Sequence, residues 1–288
     1  MYDATKRLLD LPTIAGEIKE AIEIETAKAP EGDGPRTYLG ASTIGHECKA
    51  ALWFSFRWIT PPEALSGRMR RLFERGHLEE LRINKWLEMT GWNVQALDPN
   101  TGKQWRFLAV DGHFGGSCDK QMTNPRWSEL GNVLGEDKTH GSKSFIEVLN
   151  KGVQLSKPMH VAQMNCYGAY FKNDYGLYFP VNKNDDDIKP ELLEVDVNEA
   201  RKLTMKAEEV ISAIERPRRC SETPTYFTCR YCSHAAACHN KEPALKSCRA
   251  CRFGVPAANS TWTCGHWGGT IPEDFMPVGC DAFQQVSY

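Results

Sequence analysis

A mixed α/β fold is what this chain predicts, and three stretches carry the prediction. Met69 to Thr90 repeats its apolar residues at alternating spacings of three and four, the period of a helix with one buried face. Trp92 to His140 loses that period and breaks at DPNTG, DGHFGG and TNPRWSELGN, the punctuation of short strands and turns. Beyond it, a helical stretch is followed by YGLYFPV and ELLEVDV, two strand-like runs separated by the polar NKNDDDIKP.

In chain order, residues 4 to about 28 read as a polar helix, and EGDGPR at 31–36 as a turn-rich linker. A second helix is expected from near His46, carrying Cys48, Leu52 and Trp53. The helix from Met69 should stop where Gly91 takes the C-cap position. Pro158 suits the first turn of a helix reaching Phe171, because its missing N–H has no intrahelical partner there. Asn198 to Ile214 is amphipathic, and a cysteine-rich tail closes the chain. The expected organisation is an N-terminal helix and linker over 1–36, a main domain over 37–242 and a small tail over 243–288.

Composition narrows the function. Hydrophobic residues at 41% and charged residues at 25% are those of a soluble globular chain. A net charge of -2 excludes a global positive field, so nucleic acid contacts would need local basic patches. The eleven cysteines are an odd count, and no leader-like apolar segment follows Met1. Reduced thiols used as metal ligands in the cytoplasm are therefore expected rather than a disulfide scaffold. No apolar run approaches the ~18 residues of a membrane span, and no phosphate-binding loop for an ATP-driven motor is present.

The chemistry lies in the middle of the chain. In GEDKTH, Glu136 and Lys138 are two apart, so a strand points both to one face. Asp119 lies seventeen residues before Glu136 across a turn-rich segment. Carboxylates brought together on neighbouring strands repel, and oxygen ligands of this kind suit magnesium or manganese. A lysine beside such a metal can orient water or stabilise charge on phosphate. Glu80 falls on the predicted buried stripe with Met69, Phe73, Gly76, Ile83 and Leu87, where an unpaired carboxylate is costly. Glu79, beside Arg75 and Arg82, reads as a solvated charge. Gln163 and Tyr167, four apart, share a helix face. Taken singly, each of these is an ordinary surface or core residue; their order is the signal.

Gly76 to Glu80, then Asp119, then Glu136 with Lys138, then Gln163 with Tyr167 resembles the RecB-like branch of the PD-(D/E)xK nucleases. Cys48 ahead of these motifs and Cys229, Cys232 and Cys238 behind them resemble its iron-sulfur variety, which includes CRISPR-associated RecB-like exonucleases and the nuclease domains of bacterial helicase-nucleases. The resemblance covers roughly Leu39 to His239. It implies a restriction-endonuclease-like core, with Glu80, Asp119 and Glu136 holding magnesium or manganese. Lys138 would be the catalytic lysine, and Gln163 and Tyr167 the accessory motif. It further implies a 4Fe-4S cluster on Cys48, Cys229, Cys232 and Cys238. The activity would be exonucleolytic, on DNA with free ends, in recombination, repair or end processing, with a recombination or annealing protein as partner. A phage source, in the host cytoplasm, fits the absence of a motor. A structure-specific endonuclease, or a non-catalytic DNA-binding scaffold, are the alternatives. Two departures stand out: Asp137 replaces the usual apolar residue between Glu136 and Lys138, and many relatives carry histidine where this chain has Glu80, with His77 nearby.

Read by spacing alone, Cys229, Cys232 and Cys238 more commonly mean a zinc knuckle with His234 or His239 as fourth ligand, and the nuclease resemblance reverses that preference. The resemblance does not reach the tail. There Cys248, Cys251, Cys264 and Cys280 suit a zinc ion that would stabilise a segment too small for its own core, with His266 an alternative to Cys280. His140, Ser142 and Lys143, leaving the strand that carries Glu136, are the candidate phosphate contacts. The RMRRLFER segment is the second basic candidate.

Overall fold

The computed structural model describes residues 11–28, 35–62 and 64–288. The elements, in order, are α1 (Leu11–Ala27), β1 (Leu39–Gly40), α2 (Lys49–Phe56), α3 (Gly67–Met89), β2 (Asn93–Gln95), β3 (Arg106–Ala109), β4 (Phe114–Ser117), β5 (Lys120–Thr123) and β6 (Val133–His140). They continue with α4 (Ser142–Ser156), α5 (Pro158–Phe171), β7 (Tyr175–Asn182), β8 (Glu191–Glu194), α6 (Val197–Ser212), α7 (Phe227–Arg230), α8 (Ala235–Asn240), β9 (Gly254–Pro256), β10 (Trp262–Cys264) and β11 (Gly269–Thr270).

The mixed α/β expectation holds. A five-stranded sheet runs β2-β5-β6-β7-β8, and β6 and β7, joined through α4 and α5, are its parallel pair. A second sheet, β1-β4-β3, lies alongside, and β11-β10-β9 forms a third in the tail. On one face of the main sheet, Ile83 and Leu87 of α3 pack against Met122, Val133, Phe179 and Val181. Leu134 and Tyr178, alternating with those positions, point the other way into a larger core with Trp53, Met164, Leu203 and Val210. β6 is thus covered on both faces, as parallel strands require.

Several boundaries move for local reasons. The helix expected from His46 begins at Lys49, because Cys48 is extended (φ -93°, ψ 105°) and its N–H donates to His46 Nδ1 at 3.0 Å. Ser66 caps α3 by accepting from the Met69 N–H at 3.2 Å, and Gly91 at φ 88° follows its end. Of ELLEVDV, only Glu191–Glu194 is strand, since Asp196 caps α6. Residues 4–10 of the first expected helix and 31–34 of the linker lie outside the described residues.

The tail shares the main core instead of standing apart. Trp262, Ile271, Met276 and Val286 belong to the same apolar cluster as Trp53 and Phe54. Arg57 and Arg249, each 1% exposed, lock the junction: Arg57 donates to the Arg249 and Gly254 carbonyls at 3.0 and 2.7 Å, and Arg249 stacks on Trp58 and Trp262. No helix among the described residues is long and apolar enough to cross a membrane.

Candidate active site

β6 presents Glu136 and Lys138 on the face toward α5. Glu136 is fully buried; its Oε1 accepts from the Lys138 ammonium and, at 2.6 Å, from the Gln163 amide of α5. Its Oε2 is buried with no partner, an orphan acceptor that calls for a cation or a donor. Burial pushes the Glu136 carboxyl up, and Lys138 pulls it back down. Burial also works against the Lys138 charge, but Glu136 and Asp119 outweigh it and its pKa is raised. The ammonium therefore stays charged, with its side chain 28% exposed at the site. Gln163 is thus a support for Glu136. Tyr167 is buried, and burial raises its phenol, with Glu136 and Asp119 adding to the shift.

Asp119, just before β5, accepts the Asp137 backbone N–H at 2.8 Å, which ties it to β6 one residue from Glu136. Asp137 points to the opposite face, where its carboxylate pairs with Lys120, whose side chain is wholly buried. Sequence reasoning missed Lys120; it stands next to Asp119, but nothing local marks it as a core residue. The register decides its place: Lys120 faces Gly135, and a Cβ there would come within 2.4 Å of Lys120 Cγ. The pair explains why an acid is tolerated between Glu136 and Lys138. Lys120→Ala should destabilise the fold by about 3–5 kcal/mol, because Asp137 loses its partner in the interior and must take up a proton or stay as an uncompensated charge. Chemical denaturation checks this, and a midpoint equal to wild type would show the pair to be immaterial.

Glu80 reaches the site from α3. It lines a cleft of about 440 Å³ with Phe73, His77, Asp137, Lys138 and Lys183. Burial, and then the charge of Asp119, raise its carboxyl to about 7. Asp119, from the turn before β5, and Lys138, from β6, are thus within electrostatic reach of both Glu80 of α3 and Glu136 of β6. Among the described residues, no group of three or more His, Cys, Asp and Glu side chains stands in an arrangement that could hold a metal ion as it is. The donor set nonetheless fits a hard divalent cation in chemistry: three carboxylates, one with an orphaned oxygen and one raised by its acidic neighbour.

Other expectations are corrected. Glu79, not Glu80, is the more buried acid of α3, at 5% exposure, with Oε2 bonded to Arg82 at 2.9 Å. Phe73 is 47% exposed rather than part of a buried stripe. The reason is that the start of α3 meets α1, where Arg71 pairs with Glu23, and only its later turns meet the sheet. His140 does not face phosphate either. It is buried and pushed down to about 4 by burial, with Nδ1 bonded to Ser144 Oγ and Nε2 to Tyr178 OH, each at 2.9 Å. His160 meets the same hydroxyl at 2.7 Å. Ser142 and Lys143 begin α4 and line an open cavity with Asn184.

Cys48, Cys229, Cys232 and Cys238 line one small cavity, and all are free thiols. Burial raises Cys232, and the nearby thiols of Cys48, Cys238 and Cys229 add to the shift. Cys220, which no motif marks, joins them: its N–H donates to Cys48 Sγ at 3.3 Å and its Sγ lies 3.9 Å from Cys229 Sγ. His234 is engaged through both ring nitrogens, with Ser55 and Thr60 at 2.8 Å each. In the tail, Cys248, Cys251, Cys264 and Cys280 line a second cavity, together with His266. Burial raises Cys248, and Cys280, Cys251 and Cys264 raise it further.

No family model and no curated protein matches this chain. Among solved structures it is similar to an alkaline exonuclease from Laribacter hongkongensis, at 16% identity and a TM-score of 0.45 over 61% of this chain and 87% of that one. The same exonuclease in complex with dAMP aligns at 18% identity and a TM-score of 0.44, over 60% and 86%. A structure titled SSO0001 aligns at 15% identity and a TM-score of 0.45, over 77% and 96%.

Proposed function

We propose that this chain is a divalent-metal-dependent deoxyribonuclease that degrades DNA from an end. The observation that carries the reading is Glu136, a fully buried carboxylate braced by Lys138 and Gln163, with one oxygen left unpaired and with Asp119 near enough to raise both it and Glu80. Repulsive acids gathered round a lysine have no use in packing. Magnesium or manganese, held by Glu80, Asp119 and Glu136, would supply Lewis-acid stabilisation of the phosphate and lower the pKa of the attacking water. Lys138 keeps its charge where negative charge develops on the phosphate. Gln163 fixes the Glu136 rotamer, and the Lys120–Asp137 pair holds β6 from its other face.

The cysteines support a structural reading of the rest. An iron-sulfur cluster on Cys48, Cys229, Cys232 and Cys238 would join segments on either side of the core. For the tail, Arg57 and Arg249 add a charge argument. Burial lowers them to about 10 and 9, and neither pairs with a carboxylate among the described residues; Cys251 lies close enough to oppose the shift at Arg57. Zinc with four thiolates carries net negative charge, which offsets two buried guanidiniums.

The end requirement is tested with end-labelled linear DNA and a covalently closed plasmid, each with and without magnesium or manganese. Linear DNA should be reduced to mononucleotides or short oligonucleotides, with weak sequence preference and steep loss of activity with salt. Rapid linearisation of the plasmid by wild type, absent from Lys138→Ala, would make the protein an endonuclease on the same site.

A further inference from the structure

We propose that the groove walled by Arg36, Tyr38 and Trp58 receives the unpaired end of a DNA strand, with a base against Trp58 and phosphates on Arg36 and Arg106. The inference rests on the nuclease reading for its occupant and adds the form in which the substrate enters. The groove has a volume of about 490 Å³, and its lining includes Phe56, Pro61 and Pro62 but, among the described residues, no Asp or Glu. Its described floor is apolar and aromatic and is flanked by guanidiniums, the combination that takes a strand through its base faces and its backbone.

Trp58 is held there at a cost. Its φ of 52° lies in the left-handed region that bulky residues avoid, and such strain persists only where the surroundings over-determine it. The indole N–H donates to the Arg36 carbonyl at 3.0 Å, and the Arg249 guanidinium stacks on the ring at 4.3 Å. The ring is therefore a pre-positioned wall of the groove, and little freedom remains to be lost on binding. Arg36 and Arg106 stack over Tyr38, at 5.4 and 4.9 Å, and both are exposed with no carboxylate partner among the described residues. A ring so placed orders two guanidiniums as phosphate donors.

The groove is joined through β1 to the strand that precedes Asp119. The Arg36 guanidinium lies over Gly40, where a Cβ would come within 1.9 Å of it. Gly40 pairs with Gly115 of β4, the strand that runs on to Asp119. The charge of Arg36 is felt at Tyr167, whose phenol also senses Glu136 and Asp119. A strand lying along Arg36 would thus pass from the aromatic wall toward the candidate site. A base can reach an aromatic face only when unstacked, so the geometry selects an unpaired end over intact duplex.

The test is binding, measured by fluorescence anisotropy on the full chain carrying Lys138→Ala. The probes are a labelled oligothymidylate, the same backbone with abasic sites, and a blunt duplex of equal length. Thymidylate should bind about tenfold tighter than either of the others, since a base on an aromatic ring is worth roughly that factor. Trp58→Leu should remove the advantage over the abasic strand, and Trp58→Phe, which keeps an aromatic face, should retain it. Arg36→Glu, at an exposed side chain without an ion-pair partner among the described residues and with circular dichroism as the control for folding, should weaken both single strands. Equal affinity for thymidylate and abasic strand, preference for the duplex, or Arg36→Glu binding like its parent would each overturn the proposal. Cleavage by the Lys138 protein is scored separately. Base-dependent binding without cleavage keeps the groove and loses the nuclease, and cleavage with base-independent binding does the reverse.

Discussion

Lys138→Ala should abolish DNA cleavage, with a loss on the order of a hundredfold or more, while the protein stays folded and still binds DNA. The ammonium is a charge placed where the phosphate becomes more negative, so its removal affects the transition state more than the ground state. Its side chain is partly exposed, so truncation opens no large cavity, although Glu136 loses one of its two donors. Glu136→Gln is the sharper companion: it keeps the shape and the contact with Gln163 while removing the charge that a divalent ion needs. Both variants are to be assayed at matched metal with circular dichroism as the control for folding. Wild-type rates in either would remove this cluster as the catalytic centre.

Cys48→Ser should cost the protein its iron and much of its stability together, whereas Cys251→Ser should cost it zinc and leave the iron. The first expectation follows from position. Cys48 caps α2 in the middle of the main core, and Cys229, Cys232 and Cys238 approach it from about 180 residues further along the chain. A metal joining them closes that length of chain into a loop, and removing one ligand releases it. Anaerobically purified wild type should be brown, with about four irons per chain. The tail cysteines form a separate set around their own cavity, so their loss should not bleach the protein. Elemental analysis and the visible spectrum of the three proteins are sufficient. Colourless wild type holding two zincs and no iron would replace the cluster with a zinc knuckle, its fourth ligand chosen among Cys48, Cys220, His234 and His239.

Cys220 shows the limit of reading motifs. It has no partner at ligand spacing in sequence, yet it contacts Cys48 and Cys229. Lys120 is a second case, a fully buried lysine that looks like any charged residue at a turn. The misplacement of Glu79 and Glu80 has the same origin. Helical period puts Glu80 on the apolar stripe and Glu79 off it, but which neighbour each turn of α3 meets depends on α1 and the sheet.

The sequence by itself determined what depends on neighbours along the chain. Pro158 starts α5, Gly91 follows the end of α3, and alternation sets Glu136 and Lys138 on one face of β6. It also placed Gln163 where α5 can meet that strand, through the order of motifs and not through any contact it could specify. Tertiary structure alone decided what depends on strand register and packing. It set Lys120 opposite Gly135 and so into a pair with Asp137, turned His140 inward onto Tyr178, placed the tail on the main core, and laid Arg36 beside Trp58. The physical reason is that periodicity reports which side of an element a residue occupies, whereas burial and pairing depend on what another segment brings to that side.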